Sequence, residues 1–291
     1  MQMVFHMGVH GTDGDRLLTT LLENRDTLHA AGTEVVVPDR HRGIFDEATK
    51  SLNGGSATPE MEEIMLDAML DSDQPSRVVM STWTFQGAPG RAVGRTGLYP
   101  KIVQRTSALA QLFPSAQTEF FLAIRNPATL LAEVLPQFSG NGYEDLMQGC
   151  HPLDLRWRDA IQRLMQAAQG RRVVIWCHED VPLIWPEVVR LIAALPADAP
   201  LTGMLSYMHD LVGDAGLEAL SGAMAGRDQT NVAQRRKVYA DILASHALPG
   251  VLDQDIDLPG WTQDLVDEVT ENYRSDVAEI TVLPGVEFIL P

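Results

Sequence analysis

Residues 3–38 read MVFHMGVHGTDGDRLLTTLLENRDTLHAAGTEVVVP. An apolar run at 3–7 leads into a Gly-rich turn. A segment at 15–31 follows in which Leu17, Leu18, Leu21, Leu22 and Leu28 fall mostly on one helical face, then Gly32 and a second apolar run at 34–37. Short apolar runs separated by helix-patterned sequence are what a parallel sheet requires, because parallel neighbours need a crossover between them. Three more runs follow at 77–81, 119–124 and 172–177, and helical patterns occur at 59–70, 99–112, 127–135, 153–168 and 185–195. Beyond Pro200 the strand signals stop. Residues 203–226, 228–247 and 261–280 read as helices, the last with Val266, Val269, Tyr273 and Val277 on one stripe. The expected fold is α/β, a three-layer doubly wound parallel sheet over 1–200 with a helical extension over 201–291, together one domain.

The chain has 291 residues, 45% of them hydrophobic and 21% charged, enough for a core that needs no staples. Asp and Glu number 39 against 22 Lys and Arg, a formal net charge of −17. That surface repels phosphate backbones and anionic lipid, which argues against a general nucleic-acid or membrane binder. The expected partner is a small-molecule anion or nucleotide, held where the charge locally reverses. Cys150 and Cys177 have neither disulfide nor zinc spacing. No run has signal-peptide pattern or membrane-spanning length, so a cytoplasmic protein is expected.

Ligands of open parallel sheets bind beyond the carboxyl ends of the strands. The loop after the first run, residues 8–16 (GVHGTDGDR), therefore stands where backbone N–H groups and a helix dipole favour an anion. It is not the G-x-x-x-x-G-K-[ST] pattern: Gly8 and Gly14 are one residue too far apart, and Asp15-Arg16 replaces Lys-Ser/Thr. A structural alternative is a helix start, with Thr12-x-x-Asp15 as a capping box and Asp13 as a good N-cap.

The stretch 5–38 resembles the opening of bacterial sulfotransferase-like proteins, H-x-G-x-H-K-T-G-T-T-S-L followed by N-R-x-x-L and G-x-x-x-x-P. His6, Gly8, His10, Thr12, Leu17, Asn24, Arg25, Leu28, Gly32 and Pro38 match. EFFLAIRNPATLLAEVL at 119–135 is similar to that family's strand-Arg-x-Pro-helix element, and YRSDVAEITVLPGVEFILP at 273–291 to its Y-x-x-D…LPGV-x-F ending. The resemblance implies a P-loop-kinase-like topology and a sulfonate donor, 3′-phosphoadenosine 5′-phosphosulfate (PAPS). It implies that Gly8, His10, Gly11, Thr12 and Gly14 cradle the 5′-phosphosulfate and that Arg125 holds the 3′-phosphate. Arg16 would stand in for the family's Lys, which falls on Gly11, and His10 or His178 would take the acceptor's proton. The family's Gly-Thr-Thr-Ser falls on residues 13–16, and a Ser eight residues beyond the Arg becomes Glu133. One lost cation and three added carboxylates weigh against a multiply charged donor. Three functions follow: a PAPS-dependent sulfotransferase acting on a hydroxyl or amine, a binding module of the same shape without donor chemistry, and a kinase or hydrolase of another nucleotide.

Residues 74–118 contain no Asp or Glu, where the chain's average of 39 acids in 291 residues would place about six. Arg77, Arg91, Arg95, Lys101 and Arg105 lie in that stretch. Arg91 and Arg95 are candidates to clamp an anion, with Trp83 or Phe85 offering a stacking face. The alternative is a surface loop whose Arg residues pair with acidic neighbours. His178, Glu179 and Asp180 follow the fifth run, with Asp180 placed to cap the next helix. His6 reads as a core histidine, residues 39–42 (DRHR) as a turn or as added positive charge, and 235–237 (RRK) as a wet helix face. His6, His10, Asp13 and Asp15 match no metal-ligand spacing, and no metal is expected.

Overall fold

The computed structural model describes residues 1–291 except Asp73 and Gln229. Among the described residues eight strands are present: β1 (Gln2–His6), β2 (Thr33–Val36), β3 (Arg77–Ser81), β4 (Val93–Gly94), β5 (Gly97–Leu98), β6 (Gln117–Ile124), β7 (Arg172–Cys177) and β8 (Val286–Ile289). Six of them form one sheet in the order β2-β3-β1-β6-β7-β8, with every neighbouring pair parallel. From β1 the chain passes to β2 at the edge, returns to β3 between them, and then builds β6, β7 and β8 on the other side of β1, so the crevice beyond β1 and β6 is the topological switch point.

Twelve α-helices among the described residues accompany the sheet: α1 (Arg16–Glu23), α2 (Arg25–Ala30), α3 (Pro38–Leu52), α4 (Pro59–Met69), α5 (Ile102–Leu112), α6 (Pro127–Val134), α7 (Tyr143–Met147), α8 (Trp157–Ala168), α9 (Val181–Ala193), α10 (Ser206–Met224), α11 (Val232–His246) and α12 (Gln263–Thr281). Strand side chains alternate between two buried faces. Met3, Phe5, Phe120, Leu122, Val173 and Ile175 join one core, whereas Val4, Phe121, Ala123, Val174 and Trp176 join the other. Burial on both faces is why the strands read as continuous apolar runs rather than alternating ones. α10 and α11 enclose a third, smaller core around Met208, Val212, Leu220 and Tyr239.

Four sequence expectations are corrected. The strand signals do not stop at Pro200: β8 pairs with β7, and its Glu287 meets Arg172 in an ion pair at the sheet edge. The single helix over 15–31 is two, because the Asn24 amide donates to the Thr20 carbonyl and its oxygen accepts from the Thr202 amide. Residues 39–42 are the first turns of α3, not a turn, with Arg40 paired to Asp71 and His41 buried. Asp180 occupies the N-cap of α9 but makes no side-chain capping bond.

Ion pairs join distant elements. Arg77 and Glu119 are buried against each other between β3 and β6, and Arg172 adds a second contact to Glu119. Asp276 of α12, 1% exposed, accepts from both Arg156 and the Trp157 backbone N–H and so anchors α12 to the start of α8. No helix among the described residues is long and apolar enough to cross a membrane.

Candidate functional site

The loop joining β1 to α1 has the backbone of a cradle. Gly8, Gly11, Gly14 and Asp15 all have positive φ, at 81°, 66°, 54° and 63°. At Gly8 a Cβ would lie 2.9 Å from the Cβ of Trp83, so only glycine admits that approach. The Thr12 hydroxyl donates to the Val9 carbonyl, and the Asp13 carboxylate accepts from the Leu17 N–H. The expected capping box between Thr12 and Asp15 is therefore not formed; Asp13 alone caps α1. Among the described residues, the N–H groups of Gly11, Thr12, Asp13, Gly14 and Asp15 donate to no protein acceptor.

Gly11 to Gly14 border a cavity of about 340 Å³ lined by residues of 9–14 together with Arg16, Trp83, Arg125, Glu133, Gln137, His178 and Tyr207. Its two cations are held differently. Arg125 is buried at the end of β6, where its guanidinium donates to the Gly11 carbonyl, to Thr129 Oγ1 at 2.9 Å and to Gln254 Oε1 at 3.2 Å. Burial lowers its pKa, with the nearby Glu133 opposing that fall. The Glu133 carboxylate lies 3.9 Å from it. Arg16 lies over the Tyr207 ring, 4.2 Å from its centroid, and pairs with Asp210 at 2.6 Å. Arg16 Nη1 is buried without a protein partner.

Glu133 fills the space that a side chain on residue 11 would need. A Cβ on residue 11 would sit 2.9 Å from the Cβ of Glu133 and 3.2 Å from Arg125 Nη1. No side chain fits at Gly11 while Glu133 and Arg125 stand where they do.

The two histidines differ. His10 is buried; its Nε2 bonds the Gly87 carbonyl at 2.9 Å, so Nε2 carries the proton and Nδ1 accepts from Tyr99 Oη, also at 2.9 Å. Both ring nitrogens are occupied, and His10 pins the loop after β3 to the loop after β1. Tyr99 stacks on Trp157, whose indole N–H donates to the Arg125 carbonyl at 2.6 Å. His178 faces the cavity with Nδ1 unpartnered. Burial, and after it the charges of Arg125 and Arg16, push its pKa down to about 4, so it is a neutral imidazole near pH 7.

The structure thus brings Gly8, His10, Gly11, Thr12, Gly14, Arg16, Trp83, Arg125 and His178 to one place. Arg91, at the end of the 3-10 turn Pro89–Arg91, and Arg95, in the β4–β5 turn, are exposed, and neither lines this cavity. Phe85 packs on Phe5 and His41 instead of facing the cavity. Glu179 accepts from the Asn126 N–H and the Tyr273 hydroxyl, both at 2.8 Å, a structural use of that carboxylate. His6 bonds Ser81 within the sheet. Among the described residues, no group of three or more His, Cys, Asp or Glu is placed to hold a metal. Tyr207, Gln137 and Gln254 escaped the sequence reading: each is brought to the loop from a distant element, and no local pattern marks it.

No protein-family model matches the chain, and no curated protein does. Among solved structures, that of a sulfotransferase from Alicyclobacillus acidocaldarius is similar, with 12% sequence identity and a TM-score of 0.37 over 79% of this chain and 98% of that one.

Proposed function

We propose that the chain binds the phosphate or sulfate ester group of a small organic anion at the 8–16 loop, as a sulfotransferase-like protein whose PAPS contacts have been replaced. One observation carries this reading: two guanidinium groups, Arg16 and Arg125, and the residues Gly11 to Gly14, whose N–H groups donate to no protein acceptor among the described residues, line the same cavity, with the carboxylates of Asp13 and Glu133 beside them. Two guanidinium groups and loop amides match one ester group well. They match the full donor poorly. Arg125 is already engaged by Gly11 and faced by Glu133, and a side chain at position 11 has no room.

Calorimetric titration of the full chain tests this. Inorganic sulfate and phenyl phosphate should bind at micromolar to millimolar concentration, Arg16→Ala should weaken both at least fivefold, and adenosine 3′,5′-bisphosphate should gain nothing from its second phosphate. No heat from any of the three at millimolar ligand overturns the proposal.

A second reading, sulfonate transfer to a hydroxyl or amine, is favoured by His178, a neutral imidazole in the same cavity with a free ring nitrogen. Under it His178 takes the acceptor's proton. Radiolabelled sulfonate transfer from PAPS, lost at least a hundredfold in His178→Gln, would establish this reading over the first.

A further inference from the structure

A second cavity, of about 410 Å³, opens between α3 and α5 beside the 3-10 turn Trp83–Gln86. It shares no lining residue with the loop cavity. Its floor is aromatic. His41 lies 5.4 Å from the Phe85 ring at 25° and 5.0 Å from Phe45, and Leu109 adds an apolar wall. Its rim is cationic, with Arg42, Lys50, Lys101 and Arg105 set against the single carboxylate of Asp46.

None of these four cations forms an ion pair within 4 Å among the described residues, although the chain carries 39 acids. Arg105 donates only to the Phe85 carbonyl, and its buried Nε has no partner. His41, 1% exposed, has neither ring nitrogen paired. Unpaired like charges gathered around one opening repel one another, and an acidic surface had ample means to neutralise them. Unsatisfied buried nitrogens in a native floor call for a partner. The acid-free sequence at 74–118 supplies Lys101 and Arg105 here, which gives that compositional anomaly a place in space.

We propose that this cavity binds a small anionic aromatic compound, a planar ring of one or two cycles bearing a carboxylate, sulfate or phosphate. The ring packs on the part-exposed Phe85, which Phe45 and His41 back from below, and the acidic group sits among the rim cations. The volume lies within the range of small-molecule sites.

The probe is naphthalene-2-sulfonate, titrated calorimetrically into the full chain at low salt, with 2-naphthalenemethanol as the uncharged control. The sulfonate should bind one per chain, at least tenfold tighter than the alcohol. The variant Arg42→Glu/Lys101→Glu changes only exposed side chains, so its thermal melt should match the parent while sulfonate affinity falls at least tenfold. Absence of sulfonate binding, equal affinity for the alcohol, or undiminished affinity in the charge-reversed variant overturns the proposal.

Discussion

At Gly11 a single hydrogen atom decides the shape of the loop cavity. Its φ of 66° and its closeness to Glu133 make two separate demands, whereas Gly14, at φ 54°, has nothing within 4 Å of where a Cβ would go. Gly14→Ala should therefore lose about 1 kcal/mol, the conformational part alone. Gly11→Ala should lose about 2–4 kcal/mol, because the helix carrying Glu133 must also move. Urea unfolding of the two variants checks this, and equal losses would remove the steric role of Glu133. Titration acts at the same scale. Burial holds the pKa of both His41 and His178 at about 4 against 6.5 for a free imidazole. Between those values the unfolded chain binds more protons, so stability is fully present above about pH 6.5 and is lost as pH falls toward 4. The fully buried His41 alone contributes up to roughly 3 kcal/mol of that loss. His41→Phe should flatten the decline between pH 7 and pH 5 measured by urea unfolding.

Among elements, α12 shows how the site is held from outside. Asp276 fixes Trp157, Trp157 donates to the Arg125 carbonyl, and Tyr273 and Thr270 reach Glu179 and Asn126 beside it. Asp276→Ala leaves Arg156 and the Trp157 N–H without their acceptor. It should cost about 3 kcal/mol, read as a lower Tm, and should weaken sulfate binding although residue 276 lies outside the cavity. The strands β1, β2, β3, β6 and β7 were legible because burial on both faces makes each a continuous apolar run. β8 was not: Val286–Ile289 is four residues with alternating exposure, at an edge. α3 hid behind its polar start, since Asp39, Arg40 and Arg42 read as a solvated turn when nothing local shows His41 entering the core. The break at Asn24 depends on Thr202, 178 residues away. The loop after β1 was legible from strand, turn and helix in succession, and Arg125 and Glu133 from the resemblance. That Glu133 leaves no room for a side chain at position 11 is a fact of three dimensions.

For the molecule as a whole, the negative charge is not spread evenly: the cavity between α3 and α5 lies where Arg and Lys collect, whereas the loop cavity sets Arg16 and Arg125 against Asp13 and Glu133. The expected division into a sheet core at 1–200 and an extension at 201–291 meets a sheet whose edge strand is β8. A fragment of residues 1–200 lacks that strand, Asp276 and the α10 surface that meets Arg16. It should unfold without a cooperative transition by circular dichroism, where the full chain melts sharply. The position of β8 also bears on synthesis. A ribosome delivers the β1–α1 loop more than two hundred residues before Gln254 and Asp276, which brace it through Arg125 and Trp157, so the nascent loop waits half-built while the chain between them is made. Chaperone contact during that interval is the expected consequence for a sheet completed from its far end.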